Sequence, residues 1–192
     1  MKKNVLVLNS SPRPKGNTDV LSNALLTGAE HAGHNARRIT IRSLDIRQCT
    51  GCYQCTMKKG DPCIQKDDMK EVYNAVLQAD VIVFASPLYW WQFNAPMKAV
   101  IDRLFAVAAA NDMHMPPKET VLIIAAQGER DENFAQIIPY YQTCLVKKLQ
   151  WTDRGMVLAG GNNQPGEVEK TPYVKEAEVL GTSLKEVSHI HI

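Results

Sequence analysis

The residues from Asn4 to Thr18 constrain the fold more than any other stretch of the chain. Val5 to Leu8 are all apolar, which is typical of a strand buried on both faces of a parallel sheet. The apolar run ends at two serines, and a helical pattern of apolar residues begins after Thr18. The stretch therefore predicts a strand, a short polar loop and a helix, which together form the basic unit of an α/β protein.

The loop after this strand carries the donor groups that bind an anion. Asn17 and Thr18 are predicted to cap the following helix, so that the positive end of its dipole faces the loop. Hydroxyl, amide and cationic side chains surround the same point: Ser10, Ser11, Arg13, Lys15, Asn17 and Thr18. The pattern predicts a phosphate site. The loop sequence matches neither G-x-x-x-x-G-K-[ST], the motif of triphosphate sites, nor G-x-G-x-x-G, the motif of dinucleotide sites. The ligand favoured is therefore a monophosphate. The alternative is that the loop is an ordinary polar connection.

Short apolar runs and helical patterns alternate along the rest of the chain, with no internal repeat and no linker. Strands are predicted at 5–8, 37–41, 81–85, 120–126 and 156–159. The last two helices are predicted at 132–149, with an irregularity at Pro139, and at 173–187. Five strands that alternate with five helices predict a doubly wound, three-layer α/β/α sandwich with a five-stranded parallel sheet.

Composition narrows the classes of protein further. With 192 residues, 45% hydrophobic and 22% charged, the chain can form one sizeable core. We expect a single domain over 1–188, a cysteine-rich insertion loop at 45–66 and a tail at 189–192. The net charge of +2 is too small to predict a nucleic-acid partner. No window suits a membrane span, and the first apolar run is too short for a signal peptide. We therefore expect a cytoplasmic protein whose five cysteines are reduced or bound to metal.

Three of the predicted strands end in segments of unusual chemistry, at 10–18, 86–94 and 127–129. Ligands of such sheets bind outside the carboxyl ends of the strands. The second segment carries four large aromatic residues: Tyr89, Trp90, Trp91 and Phe93. Such rings suit a flat conjugated ligand better than a bare surface. A phosphate loop beside an aromatic wall predicts flavin mononucleotide (FMN).

A family resemblance covers roughly residues 3 to 150. The matching segments are N-S-S-P-R and G-N-T in the first loop, the Cys49–Cys63 run with D-D-M after it, A-D-V-I-V-F-A-S-P-L-Y-W from Ala79, and P-M-K-A with I-D-R from Pro96. They resemble the flavodoxin-like NAD(P)H-dependent FMN reductases, in particular the branch that includes the iron–sulfur flavoproteins.

The resemblance implies a strand order of 2-1-3-4-5 and a specific set of FMN contacts. It implies that the phosphate is bound by Ser10, Ser11, Arg13, Asn17 and Thr18, and that the ring lies near Pro87, Leu88, Tyr89, Trp90, Gln127 and Gly128. It also implies NAD(P)H as co-substrate and a homodimer or homotetramer in which a neighbouring subunit covers the flavin. No catalytic acid or base is assigned, although His114 and Tyr89 are candidates to lie near the ring.

Three functions are open at this point. The first is an enzyme that transfers electrons from NAD(P)H through bound flavin to quinones or other small acceptors. The second is an iron–sulfur flavoprotein that carries electrons to and from ferredoxin-like partners. The third is a regulatory protein that uses its cysteine loop as a redox sensor.

Four cysteines form a compact run, C-x2-C-x2-C-x7-C, at Cys49, Cys52, Cys55 and Cys63. The two-residue gaps favour a [4Fe–4S] cluster over zinc, whose ribbons present two separated C-x-x-C pairs. A merely structural loop is the alternative, because Ile64 stands where ferredoxin runs have proline. Cys144 is predicted to be a core thiol, and His189 and His191 are predicted to be solvent-exposed.

Overall fold

The computed structural model describes residues 1–57, 62–129 and 131–185. Its sheet contains five parallel strands and one short antiparallel strand: β1 (Asn4–Asn9), β2 (Asn35–Thr40), β3 (Val81–Tyr89), β4 (Gln92–Phe93), β5 (Glu119–Ala125) and β6 (Thr152–Ala159). The parallel order is β2-β1-β3-β5-β6, and β4 pairs with the end of β3. The predicted order of the five parallel strands is confirmed; the extra strand β4 changes only their numbering.

Helices cover both faces of the sheet. They are α1 (Asn17–His31), α2 (Met69–Gln78), α3 (Ala95–Arg103), α4 (Phe105–Ala109), α5 (Ile137–Tyr140) and α6 (Tyr173–Thr182), with a π-helix at Tyr141–Lys147 after α5. Helices α1 and α6 pack on one face, and α2, α3 and the π-helix pack on the other. The molecule is thus the three-layer α/β/α sandwich that the sequence predicts.

The two-residue period of a strand sends alternate side chains to opposite layers. In β1 and β3, one face carries leucine, isoleucine and phenylalanine, and the other carries valine. The first set is Leu6, Leu8, Ile82 and Phe84, and the second is Val5, Val7, Val81 and Val83, all at most 1% exposed. Burial on both faces explains why these strands read as unbroken apolar runs.

Strand ends shift by up to four residues from the prediction, as at β6, which begins at Thr152 and not at residue 156. The structure departs further from the predicted elements in three places. Strand β3 continues to Tyr89, because β4 extends it into a hairpin. The predicted helix at 132–149 is divided into a 3₁₀ turn, α5 and the π-helix. Pro139 lies just before the π-helix and lacks the N–H that a regular helix needs, so the expected irregularity is confirmed. Helix α6 ends at Thr182 instead of continuing to residue 187.

Part of the predicted organisation lies outside the described residues. This applies to His189 and His191, to the tail at 189–192, to the domain boundary at 188 and to 58–61 of the cysteine loop. Within the described ranges, none of the helices has the length and apolar character needed to cross a membrane.

Helices α1 and α6 cross at two glycines. A Cβ atom at Gly28 would lie 2.0 Å from the carbonyl oxygen of Glu178, and one at Gly181 would lie 2.1 Å from that of Leu25. Both neighbours are backbone atoms, which cannot rotate away as a side chain would. The glycines therefore permit the close contact that closes this face of the core.

We predict that Gly28→Ala lowers the free energy of unfolding by about 2–3 kcal/mol, as for other overpacked sites. Alanine normally favours a helix over glycine by about 1 kcal/mol, so the steric clash must reverse that preference. Urea denaturation measures the change, and Thr27→Ala on the exposed side of α1 is the control. A variant as stable as the parent would show that the crossing adjusts without cost.

Candidate functional site

Four loops at the carboxyl ends of the parallel strands enclose a cleft of about 480 Å³. It is lined by Ser11, Pro12, Arg13, Gly16, Asn17 and Thr18 after β1, by Pro87, Leu88, Tyr89 and Trp90 at the end of β3, by Ala125, Ala126 and Gln127 after β5, and by Asn162, Asn163 and Pro165 after β6. We call it the four-loop cleft. Its position is the one that open α/β sheets use for ligands.

Nine of the eleven predicted cofactor residues line the four-loop cleft, and Ser10 and Gly128 do not. Ser10 lies behind the loop, where its N–H and hydroxyl both point to the carbonyl of Ala85 at 3.0 and 3.3 Å. Gly128 faces the neighbouring loop, because its carbonyl accepts the N–H of Gly161 at 3.2 Å. These two residues therefore support the loops around the cleft through backbone hydrogen bonds and do not line it.

The first loop is fixed by buried hydrogen bonds. The side chain of Asn9 accepts the N–H of Ser11 at 2.9 Å and donates to the hydroxyl of Ser22 at 2.8 Å. The hydroxyl of Ser11 donates to the carbonyl of Arg13 at 3.0 Å, and the N–H of Gly16 donates to the same carbonyl at 3.1 Å. These hydrogen bonds all lie within the chain, and they preorganise the loop.

Arg42, just after β2, supports this loop from the side. Its Nη1 donates to the carbonyl of Ser11 at 3.1 Å and to the carboxylate of Asp19 at 3.2 Å. Asp19 also accepts the N–H of Lys15 at 3.1 Å. The guanidinium thus compensates a buried carboxylate that would otherwise disfavour an anion nearby. Sequence reasoning did not identify Arg42, because its position depends on the pairing of β2 with β1.

The N-cap of helix α1 lies one residue before the predicted caps. Gly16 is the N-cap residue, and Asn17 and Thr18 lie in the first turn, so their predicted capping role is wrong. The side chain of Asn17 instead donates to the carbonyl of Gln164 at 3.0 Å and accepts the N–H of Val168 at 3.2 Å. First-turn N–H groups have no acceptor within the helix, so those of Asn17 and Thr18 are positioned to donate to an anion if one binds in the cleft.

The aromatic segment forms a tight hairpin. Leu88 pairs with Phe93 and Tyr89 with Gln92, which leaves Trp90 and Trp91 as the two turn residues. Both tryptophans have left-handed backbone conformations, with φ of 51° and 60°. This conformation costs an L-residue roughly 1–2 kcal/mol, and glycine and asparagine are the usual residues there. Trp90 is nevertheless 88% exposed, so burial of its ring within the chain does not offset that cost.

Two of the four aromatic side chains form the wall of the cleft. Tyr89 and Trp90 line it, whereas Trp91 does not. Phe93 is buried in the core, where its ring centroid lies 6.2 Å from that of Phe84. His114 is also absent from the lining; its Nδ1 lies 2.7 Å from the carbonyl oxygen of Asp112.

Asn94 connects the hairpin to the first loop. Its amide donates to the carbonyl of Ser10 at 2.7 Å, and its Oδ1 accepts the N–H of Met97 at 3.3 Å as the N-cap of α3. Its own N–H donates to the hydroxyl of Ser86 at 3.3 Å. Asn94 is 2% exposed and was missed in the sequence. Its place before Ala95-Pro96 was the available signal, because asparagine and proline are typical of a helix start.

The fourth loop is the other part of the cleft that sequence reasoning missed. The N–H of Asn162 donates to the carbonyl of Ala126 at 3.0 Å, which ties this loop to the third. Arg13 links the first loop to the fourth, because its Nη1 donates to the carbonyl of Asn163 at 3.2 Å. The glycine pair before Asn162, at the end of the last predicted strand, was the only signal for this loop.

A second pocket, of about 200 Å³, lies at the cysteine-rich segment. All four cysteines of the run line it, together with Thr50, Gly51, Tyr53, Gln65, Tyr73, Asp102, Arg103, Phe105 and Ala106. We call it the cysteine pocket. Among the described residues, no three histidine, cysteine or acidic side chains lie close enough together to hold a metal ion as they stand.

The cysteine pocket rests on a buried ion pair. Arg103 donates from Nη2 to Asp67 at 2.9 Å and from Nη1 to the second oxygen of the same carboxylate. Burial alone would raise the pKa of Asp67, but the hydrogen bonds from Arg103 and from the N–H of Arg47 outweigh it and lower the pKa. Burial raises the pKa of Cys55, and the nearby thiol of Cys63 raises it further.

Comparison with known proteins gives one family and a consistent fold. The model of the NADPH-dependent FMN reductase family matches residues 3–137. The chain is 30% identical to an iron–sulfur flavoprotein of Archaeoglobus fulgidus, over 92% of this chain and 76% of that protein. It is 31% identical to an iron–sulfur flavoprotein of Methanocaldococcus jannaschii, over 66% of this chain and 63% of that protein, slightly less than two thirds of the relative's length.

Solved structures with similar folds include a quinone oxidoreductase and an azoreductase. An NAD(P)H:quinone oxidoreductase from Methanothermobacter marburgensis superposes with a TM-score of 0.75 at 17% identity, over 98% of this chain and 100% of that one. An FMN-dependent NADH-azoreductase from Bacillus anthracis, in complex with FMN, gives 0.69 at 15% identity, over 97% and 100%. At these identities the likeness concerns the fold alone.

We predict that Trp90→Ala reduces the quenching of FMN fluorescence that accompanies binding, because its ring lines the cleft. Trp91→Ala is the matched control. Trp91 is the adjacent turn residue and has the same left-handed backbone conformation, but it does not line the cleft. Flavin emission is measured at saturating protein. Equal quenching by both variants and the parent would place the flavin ring away from Trp90.

Proposed function

The chain belongs to the NADPH-dependent FMN reductase family, and we propose that its four-loop cleft binds FMN for the transfer of electrons from NAD(P)H to a quinone or another small acceptor. The family prediction made from the sequence is confirmed, and the class of activity, flavin-dependent oxidation of NAD(P)H, follows from it. The binding residues and the acceptor are the proposed parts.

The observation that carries the proposal is the meeting of anion donors and aromatic rings in one cleft. Arg13 and the first-turn N–H groups of α1 suit the FMN phosphate. Leu88, Tyr89 and Trp90 offer an apolar and aromatic wall in the same cleft, which suits the flavin ring. Arg13 uses one of its five donors on Asn163, so the others are available to an anion.

The roles of the protein in this chemistry are binding and orientation. When bound, FMN supplies hydride and single-electron chemistry that no side chain can supply. The preorganised first loop fixes the phosphate end, and the hairpin excludes water from one side of the ring.

The exposed rings favour an oligomer. Trp90, Tyr89 and Trp91 are 88, 49 and 46% exposed, although they lie beside the cleft. We propose a homodimer or homotetramer in which a neighbouring subunit covers them together with the flavin. We also propose the cytoplasm as the location, where the five cysteines, all of them free thiols, would remain reduced.

We predict that Arg13→Ala weakens FMN binding by about 10- to 100-fold, the loss expected for a charge-assisted hydrogen bond of roughly 1.5–3 kcal/mol. Lys15→Ala is the control, because Lys15 carries the same positive charge in the same loop but does not line the cleft. This variant should bind FMN nearly as tightly as the parent does. Isothermal titration with FMN measures both affinities. Two variants with equal affinity would mean that the phosphate lies elsewhere.

Steady-state turnover tests the reaction itself. NADPH oxidation with a simple quinone should fall for Arg13→Ala at low FMN and recover when FMN is in excess. An electron carrier or a redox sensor would instead show FMN binding without quinone turnover, even for the parent.

A second proposal is that the cysteine pocket holds a [4Fe–4S] cluster, which would make the protein an electron carrier as well. The four thiols of one compact run line a single pocket, and thiolates are the usual ligands of such clusters. The relatives named iron–sulfur flavoproteins support this assignment. As described, these four thiols do not form a ready metal site, so they would have to come closer together to hold the cluster.

We predict that anaerobic reconstitution yields about four iron and four sulfide per chain, the content of one cubane. Cys52→Ala should abolish the broad cluster absorbance but leave FMN bound, because Cys52 lies in the cysteine pocket and not in the four-loop cleft. Cys144→Ala, outside both pockets, is the control and should retain full iron. If the reconstituted parent protein contains no iron, the cluster proposal fails and the protein is a simple flavin reductase.

A further inference from the structure

The fourth loop, at 160–166, reaches across the end of the sheet. It follows β6, the edge strand, and β5 and β3 lie between β6 and β1. At the usual spacing of about 4.8 Å between strands, it must extend about 14 Å to meet the loop that follows β1. The fourth loop does so: it bonds to the third loop at its base and to the first loop and the start of α1 at its tip. It therefore bridges the two loops across one side of the four-loop cleft.

Contacts between backbones fix the base of the fourth loop. A Cβ atom at Gly160 would lie 2.7 Å from the carbonyl oxygen of Gly128, so glycine permits the two loops to approach this closely. Gly161 has a φ of 75°, a conformation that favours glycine, and its N–H donates to that same carbonyl at 3.2 Å. Asn162 is 6% exposed, and its N–H donates to the carbonyl of Ala126. The base of the loop is thus held by the third loop.

Asn17 fastens the tip of the fourth loop to α1. Its Nδ2 donates to the carbonyl of Asn162 at 3.3 Å and to that of Gln164 at 3.0 Å. Its Oδ1 accepts the N–H of Val168 at 3.2 Å. An asparagine amide has two N–H donors, so both are engaged by the loop. The side chain of Asn17 therefore holds the fourth loop, and its main-chain N–H is the donor that remains for a phosphate.

Glu167 holds the same loop from its other end. It is the first residue of a 3₁₀ turn that follows the loop. Its Oε2 accepts the N–H of Asn163 at 2.6 Å and the N–H of Gln164 at 2.8 Å. These bonds fix the direction of the main chain at the tip, so they also fix the direction of its carbonyls.

Three consecutive carbonyls of the tip, at 162–164, accept hydrogen bonds from the residues proposed to hold the phosphate. The donors are Nη1 of Arg13 and Nδ2 of Asn17. Carbonyl oxygens only accept hydrogen bonds, as does an ionised phosphate, so a phosphate placed against them is repelled. The fourth loop thus places groups that disfavour a further phosphate beside the proposed site of the first.

We propose that the fourth loop makes the four-loop cleft specific for a flavin whose phosphate is terminal, as in FMN, and excludes flavin adenine dinucleotide (FAD), whose phosphate carries a second phosphate and adenosine. This inference rests on the proposed function and adds the residues that select its ligand. To admit the additional groups, the loop would have to leave Arg13 and Asn17 and lose its hydrogen bonds to both. Asn17 and Glu167 are positioning residues, because they act through the loop.

The test compares two variants that release the loop with two matched controls. Asn17→Ala removes the bonds at the tip, and Asn23→Ala is its control, because Asn23 lies on the same helix, bonds to Arg38 and does not line the cleft. Glu167→Ala removes the carboxylate that holds the main chain of the loop. Its control is Glu169→Ala, which removes the same charge from the same 3₁₀ turn. Isothermal titration with FMN, FAD and riboflavin gives three affinities for each protein.

The parent should bind FMN at least about 100-fold more tightly than FAD, because FAD must break several hydrogen bonds of the loop. Asn17→Ala and Glu167→Ala should each reduce this ratio about tenfold, as expected when two hydrogen bonds that hold the loop are lost. Both controls should keep the ratio of the parent. The ratio compares two ligands of one folded protein, so a general loss of stability does not change it, and Glu167→Ala decides the matter if Asn17→Ala fails to fold.

Three results would overturn this inference while the FMN site stands. The first is a parent protein that binds FAD as tightly as FMN. The second is an unchanged ratio in both loop variants. The third is that Asn17→Ala weakens the binding of FMN but not of riboflavin, which would show that its side chain holds the phosphate. A parent protein that binds neither FMN nor FAD would instead overturn the proposed function itself.

Discussion

Burial of β1 and β3 on both faces is the constraint on which the rest of this protein depends. Two adjacent parallel strands without a solvent-exposed face require helices on either side, and parallel pairing brings their carboxyl ends to one edge. Every loop of the four-loop cleft leaves the sheet at that edge. The position of the site therefore follows from the packing of the core. The side chains of the loops determine only which ligand the site suits.

Polar side chains that bond from one loop to another convert these loops into a defined site. Asn94 joins the hairpin to the first loop, and Arg42 with Asp19 holds that loop from the other side. Each bond connects segments that are distant in sequence, and a buried polar group without its partner would be costly. The same principle operates at the cysteine segment, where Asp67 and Arg103 anchor a loop that has little regular structure of its own.

Local patterns made most of the fold predictable. The apolar runs, their alternation with helical periods and the turn residues between them are set by residues close in sequence, so the elements and layers could be inferred, and the family resemblance supplied the strand order. The first loop and the aromatic segment were predicted for the same reason. Strand ends were less predictable, as in the extension of β3 to Tyr89, because a strand continues only where another segment pairs with it.

The sequence by itself determined the α/β class, the family, the residues of three loops and the compact run of cysteines, since each of these is written in neighbouring residues. Only the tertiary structure decided which groups meet. In the structure, Asn17 does not cap a helix but forms hydrogen bonds with the fourth loop. Phe93 lies in the core, and Arg103 lines the cysteine pocket. These outcomes depend on the packing of distant segments and on the partners that buried polar groups find there, which no short stretch of sequence specifies.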